Sequence, residues 1–161
     1  MTELKYLMKN TIVMMCLIAA FASFTLPANA GISKTHEINF DGMVPCVQES
    51  VHLQGPFRVE LTFAGNKSLT EAKAFVQGIR GTGESSRRTY SANQNNVIVS
   101  SNYKVQSGVS RGQVTFKFEV IGRLEGNSGN LVRFEAKQIV RFEFGKNLNL
   151  DFESLKVCAT P

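Results

Sequence analysis

Three arginines around a glycine-rich segment are the residues of this chain best suited to bind an anion. Arg80 lies within Gly78-Ile79-Arg80-Gly81-Thr82-Gly83, and Arg87 and Arg88 follow a few residues later. A guanidinium group binds phosphate, sulfate or carboxylate oxygens through parallel hydrogen bonds. A nucleotide-type phosphate loop is not favoured, because it needs a helix after it, whereas residues 85–96 are polar and turn-rich. We therefore predict a flexible loop between strands that presents Arg80, Arg87 and Arg88 as a basic contact surface.

The two histidines, His36 and His52, are weak candidates for metal binding or catalysis. They would need Glu37 or Glu49 beside them to form a metal site, and His52 lies between two apolar residues, which places it on the polar face of a strand. No G-x-S-x-G nucleophile elbow is present. We predict no catalytic residue, no metal site and no cofactor, and we expect a non-enzymatic protein, with a small hydrolase as the third choice of function.

Cys46 and Cys158 lie near the two ends of the region that follows the first 30 residues. Cysteines in an exported protein are expected to pair, so we predict a disulfide between them. Closing a loop of roughly 110 residues stabilises a fold by about 4 to 5 kcal/mol in the chain-entropy treatment.

Residues 1–30 have the pattern of a secretory signal peptide. Lys5 and Lys9 precede an apolar run at residues 12–24, and Ala28-Asn29-Ala30 precedes Gly31 as a cleavage site. The apolar run has about 13 residues, fewer than the roughly 20 that span a bilayer, so no retained membrane span is expected. We predict cleavage at Ala30-Gly31 and a single β-domain over residues 31–161, either periplasmic or secreted.

The charge of the chain does not indicate nucleic-acid binding. The formal net charge is +5, and removing Lys5, Lys9 and Glu3 with the signal leaves about +4. The remaining charges alternate with apolar residues instead of concentrating on one element, as a nucleic-acid binder requires. We expect an anionic glycan, a lipid headgroup or a protein as the partner.

The elements that must position these residues are β-strands, because apolar residues recur at every second position over most of the chain. The inward positions predicted by this period are Phe57, Val59, Leu61 and Phe63; Val97, Val99 and Tyr103; and Val114, Phe116, Phe118 and Val120. Residues 69–78 are predicted to be a further strand. Turns are expected at Asp41-Gly42, Gly65-Asn66, Gly126-Asn127 and Gly129-Asn130. The prediction is all-β, a single antiparallel β-sandwich or flattened barrel of about 7–9 strands.

The last part of the chain predicts one long, bent strand over residues 132–144. Its alternation is interrupted only by Gln138, a polar residue at an inward position. A final strand begins near Leu148, and its alternation shifts at Ser154, which predicts a β-bulge there.

Short motifs give the chain a resemblance to known proteins. Pro45-Cys46 is followed by Glu49, Val51, Leu53 and Gly55, then by Gly81-Thr82-Gly83 with Tyr90, and finally by Val157-Cys158. Over about residues 40–158 this arrangement resembles a loose group of small secreted bacterial β-rich proteins of unknown function. The resemblance implies a compact β-fold with a terminal cysteine pair and no established activity.

These features favour an extracytoplasmic binding or interaction protein. The alternative is a lipocalin-like carrier that encloses a small apolar ligand among the ten phenylalanines beyond the signal, although most of these lie at positions expected to pack the core. The sequence leaves both open.

Overall fold

The computed structural model describes residues 29–124, 131–145 and 147–158. Within them the chain forms one antiparallel sheet, which confirms the all-β prediction. The strands are β1 (Ala30–Val44), β2 (Glu49–Phe63), β3 (Leu69–Phe75), β4 (Arg80–Gly83), β5 (Thr89–Gln106), β6 (Val109–Arg123), β7 (Val132–Phe144), β8 (Leu148–Phe152) and β9 (Lys156–Val157).

The sheet is curled into a half-barrel with the order β1-β2-β4-β5-β6-β7-β8. β2 pairs with β1 along its whole length. On its other side β2 pairs with β4 near its beginning and with β3 near its end. β7 in the same way pairs with both β8 and β9. The sequence left a sandwich and a flattened barrel open, and the structure is a single curled sheet.

The inner face of the curl is packed with most of the apolar residues that the alternating pattern predicted, but the prediction was wrong for Val99, which is 40% exposed. Phe57, Phe63 and Phe116 are fully buried. The ring centroid of Phe57 lies 5.7 Å from that of Phe116, and the Phe63 ring stacks on Phe144 at 4.8 Å. Burying such rings against one another is a large apolar contribution to folding, and their contacts are those of a packed core.

The two edges of the curled sheet are joined by side chains and by the disulfide. The Nζ atom of Lys34 on β1 donates to the carbonyl oxygen of Leu150 on β8 at 3.1 Å. The predicted Cys46–Cys158 disulfide, which bridges 112 residues of sequence, links the turn after β1 to the end of β9. The first hairpin is therefore fixed to the last strands, as the cysteine spacing predicted.

Two predictions about local structure were wrong. Residues 80–83 are not part of a flexible loop but form β4, which lies between β2 and β5. Asp41-Gly42 does not form a turn, because β1 continues to Val44, which is fully buried. The chain turns instead at residues 45–48, where Gln48 adopts a positive φ of 56° and donates to the carbonyl of Val44 at 3.0 Å.

Three further predictions about strands and turns are confirmed in whole or in part. β7 is one strand of 13 residues, and the chain turns at Gly65-Asn66. The strand predicted over residues 69–78 is present but shorter, since β3 ends at Phe75. Val140 pairs with Phe152 but Lys137 pairs with Lys156, so the last strands contain one more residue than β7 between these pairs. This extra residue is the bulge expected near Ser154.

The remaining sequence predictions fall largely outside the described residues. Most of the predicted signal peptide precedes residue 29, and the two Gly-Asn turns lie between residues 125 and 130. Cleavage at Ala30-Gly31 would take only one residue, Ala30, from β1. Among the residues described, no helix is long and apolar enough to cross a membrane.

Candidate functional site

The predicted basic surface is divided by the fold, because only two of its three arginines are exposed. Arg80 is the first residue of β4, and Arg87 lies in the turn that leads to β5. Arg88 is only 22% exposed, and its Nη1 atom lies 3.8 Å from Oε1 of Glu49. The surface that an external anion reaches is therefore built on Arg80 and Arg87.

Glu49, the first residue of β2, is a buried carboxylate that holds this turn in place. Its side chain is 4% exposed. The hydroxyl of Tyr90 donates to its Oε1 atom. Ser86 donates twice, from Oγ to Oε1 at 2.9 Å and from its backbone N–H to Oε2 at 3.1 Å. Because Ser86 belongs to the β4–β5 turn and Tyr90 to β5, Glu49 fixes the segment that carries Arg87.

Burial and hydrogen bonding act in opposite directions on the ionisation of Glu49. Burial raises the pKa of this carboxyl group, but hydrogen bonds from Tyr90 and Ser86 and the charge of Arg88 outweigh burial, so the pKa is below the ordinary 4.5. Burial and the hydrogen bond to Glu49 raise the pKa of Tyr90 to about 12. At neutral pH the cluster therefore contains a carboxylate and a protonated phenol.

Gly81 and Gly83, which suggested a loop, lie where β4 packs closely against β2 and Glu49. A Cβ atom on Gly83 would lie 2.5 Å from Oε2 of Glu49, and one on Gly81 would overlap the carbonyl oxygen of His52. Gly122 on β6 similarly leaves room for the Tyr90 ring. Glycine in β4 thus allows the close approach of β2 and of the buried carboxylate.

An exposed polar surface surrounds Arg80, and we call it the Arg80 face. It consists of two rows of residues paired across β1, β2, β4 and β5, and paired residues lie on the same side of a sheet. The rows are Asn39, Gln54, Arg80 and Ser91, and Asp41, His52, Thr82 and Thr89, all of them exposed. Part of the face, together with Glu37, lines a shallow depression of about 410 Å³.

Charge compensation distinguishes the arginines of this region from others on the sheet. Arg111 lies 2.7 Å from Glu143, and Arg141 lies 3.1 Å from Glu153. In the part of the chain that the structure describes, neither Arg80 nor Arg87 has a carboxylate oxygen within 4.0 Å. Their positive charge is therefore not neutralised at close range by these residues.

The two histidines do not come together. His36 pairs with the inward-facing Phe57, and its ring stacks on that of Phe152 with centroids 4.7 Å apart. His52 lies on the outer face, where its Nδ1 atom is 4.0 Å from Asp41. Considering the described residues alone, no three His, Cys, Asp or Glu side chains gather into a group that could hold a metal ion.

Sequence reasoning missed the buried cluster, although one signal for it was present. Glu49 has the same alternation as Val51 and Leu53, so its carboxylate occupies an inward position of β2. A carboxylate at such a position needs hydrogen-bond donors or a cation. Its donors follow 37 and 41 residues later, and only the sheet register brings them to it.

The Arg80 face offers a guanidinium, two amides, three hydroxyls, the imidazole of His52 and the carboxylate of Asp41 as hydrogen-bonding groups. Comparison with protein families, with curated proteins and with solved structures found no match.

Proposed function

We propose that the chain is a non-enzymatic extracytoplasmic binding protein whose Arg80 face contacts an anionic partner. The observation that carries the proposal is that Arg80 and Arg87 are exposed and have no carboxylate within 4.0 Å among the residues described. A guanidinium in this state is free to form paired hydrogen bonds with an external anion. The anions that fit are an acidic glycan, a lipid headgroup and the carboxylates of a protein.

The anchoring of the β4–β5 turn adds to this support. Two hydrogen bonds from Ser86 to Glu49 order the residues just before Arg87. A contact residue on an ordered segment loses less conformational freedom when a ligand binds. Glu49 is thus a positioning residue for the proposed contact.

The extracytoplasmic location is supported by two independent features. The Cys46–Cys158 disulfide is of a kind that persists in oxidising compartments. Residues 1–30 have the charge, apolar run and small-residue cleavage site of a signal peptide.

The lipocalin-like carrier is the weaker candidate. An apolar ligand would need space among the phenylalanines, but Phe57, Phe63 and Phe116 are fully buried and contact other phenylalanine rings. Native mass spectrometry of protein purified from its producing cells separates the two functions. A non-covalent mass that is lost on denaturation would favour the carrier.

Salt-dependent retention on immobilised heparin, used as a polyanionic probe, tests the proposed contact. The Arg80→Ala/Arg87→Ala variant should elute at lower salt than the wild type. Fewer charge contacts would hold it on the column, so less salt is needed to screen them. The control is Arg111→Ala/Arg141→Ala, which has the same net charge but loses arginines already paired with carboxylates. Elution of both variants at the same salt concentration would contradict the proposal.

A further inference from the structure

We propose that the Arg80 face binds an extended polyanionic glycan and that Arg123 is a third guanidinium contact. This inference rests on the proposed function, and it names the chemical class of the ligand and one more residue of the site.

The sheet register places Arg123 beside the Arg80 face. Arg80 pairs with Ser91 on β5, and Ser91 pairs with Ile121 on β6. Arg123 follows two residues later, where it pairs with Thr89 of the Arg80 face. Its side chain is exposed and has no carboxylate oxygen within 4.0 Å in the described ranges. Arg80 and Arg123 therefore lie on the same outer surface.

The spacing of the arginines suits a ligand with more than one anionic group. Strands lie about 4.8 Å apart and residues about 3.4 Å apart along a strand, so the Cα atoms of Arg80 and Arg123 are separated by roughly 12 Å. Arg87 is adjacent to Arg88, whose carbonyl accepts from the Gly83 N–H at 2.9 Å, so it lies beyond the end of β4. A single sulfate or carboxylate would have to be shared by the three guanidinium groups, whereas a chain with repeated charges can pair a separate anionic group with each of them.

The side chains between the arginines favour a ligand rich in hydroxyl groups. Thr82, Thr89 and Ser91 present hydroxyls, and Gln54 presents an amide. These groups both donate and accept hydrogen bonds, as the hydroxyls of a sugar do. Trp is absent, so recognition depends on charge and hydrogen bonding instead of stacking on indole rings.

An extended peptide is disfavoured beside Arg80 because β4 lies inside the sheet, although β1, which carries Asn39 and Asp41, is an edge strand. β2, β4 and β5 are each paired on both sides in this region, so their backbone groups are used in the sheet. A peptide that adds as a strand needs a free edge.

A membrane surface is disfavoured because all eight residues of the face are polar. Met43 is exposed two residues beyond Asp41 on β1, and Leu131 is exposed in the segment before β7, but single apolar side chains at the margins do not form a continuous apolar surface.

Titration calorimetry with heparin-derived oligosaccharides of increasing length tests the inference. Wild-type affinity should rise from disaccharide to hexasaccharide, since a longer chain can pair a separate anionic group with each arginine. Arg123→Ala should lower the hexasaccharide affinity by about tenfold and the disaccharide affinity by less. Arg111→Ala, which removes an arginine paired with Glu143, is the matched control and should have no such effect.

The outcomes separate this inference from the function on which it rests. Affinity that is independent of length, or unchanged by Arg123→Ala, overturns the extended-glycan inference, while anion binding lost in Arg80→Ala/Arg87→Ala preserves the proposed function. Tighter binding to phosphatidylglycerol vesicles than to the hexasaccharide overturns the glycan assignment in favour of a lipid headgroup. Absence of binding to every anionic probe overturns both.

Discussion

The hydroxyl of Tyr90 donates a hydrogen bond to the carboxylate of Glu49, although the two residues are 41 positions apart in the chain. This contact joins the start of β2 to the start of β5, across the short strand β4. It links the packing of the sheet to the turn that presents Arg87. Stability and the proposed binding should therefore respond together to changes in this pair.

Tyr90→Phe removes the hydroxyl and keeps the ring. We expect the free energy of unfolding to fall by about 2 kcal/mol, because the lost hydrogen bond has a charged, buried acceptor. Tyr103→Phe is the control, since the Tyr103 hydroxyl donates to the neutral carbonyl of Leu69 at 3.1 Å and its loss should cost about 1 kcal/mol. Urea unfolding measures both, and an equal loss in the two variants would argue against a special role for Glu49.

Acid should destabilise the fold through Glu49. Folding lowers the pKa of this carboxyl group below 4.5, so its ionised form contributes stability above the unfolded-state pKa. This contribution is lost as the pH falls through the lower folded-state pKa. We expect the free energy of unfolding to decrease below about pH 4.5 and to decrease less in Glu49→Gln.

Two other carboxyl groups act in the same direction. The pKa of Glu119 is lowered, chiefly by a hydrogen bond from Asn93, and that of Glu153 is lowered, chiefly by one from Lys156. Glu49→Gln should therefore reduce the acid sensitivity without abolishing it. Urea unfolding at a series of acid pH values makes the measurement. The control is Glu84→Gln in the exposed turn, and acid sensitivity equal to that of Glu49→Gln would contradict the prediction.

Gly83→Ala should destabilise the protein although it adds a single methyl group. The new Cβ would lie 2.5 Å from Oε2 of Glu49, so the carboxylate or β4 must shift, at a cost of about 1 to 3 kcal/mol. The nearest atom to a Cβ on Gly145 is 3.8 Å away, which makes Gly145→Ala the matched control. Thermal unfolding compares the two, and similar midpoints would show that the site tolerates the methyl group.

How far the sequence predicted the site depends on whether a feature is local. Alternation along one strand is local, and it correctly predicted the buried faces of β2, β6 and β7. The partial burial of Arg88 does not depend on local sequence. Its guanidinium lies beside Glu49, and only the pairing of β2 with β4 brings these two residues together. Arg123 joins the Arg80 face for the same kind of reason, since its partner Thr89 lies 34 residues earlier.

The glycine-rich segment shows why composition alone was misleading. Glycine is common both in loops and at positions where two backbones approach closely. Gly81 and Gly83 belong to the second class, because a Cβ at either would meet β2. Only the pairing partner of the segment distinguishes the two cases, and the sequence of the segment itself does not contain that information.

Removing the disulfide should have the largest effect on stability. Cys46→Ser/Cys158→Ser opens a loop of 112 residues and should lower the free energy of unfolding by about 4 to 5 kcal/mol. The contact between Lys34 and Leu150, which also joins the edges of the sheet, would remain in the double-serine protein. Urea unfolding of the oxidised, reduced and double-serine proteins gives the measurement. Equal stability of the oxidised and double-serine forms would show that the cross-link contributes nothing.

Gln138 interrupts the apolar alternation of β7, and its side chain hydrogen-bonds to the bulge that follows β8. Its side chain is 1% exposed, and its Nε2 atom donates to the carbonyl of Glu153 and, at 3.2 Å, to that of Ile139. Gln138→Leu restores the apolar alternation but leaves the carbonyl of Glu153 without this donor, so we expect a loss of about 1 to 3 kcal/mol. Gln113→Leu, at an outward position of β6, is the control. If urea unfolding shows Gln138→Leu to be as stable as the wild type, then water or a backbone shift must provide the hydrogen bond to the carbonyl of Glu153. In that case Gln138 does not determine the conformation of the bulge.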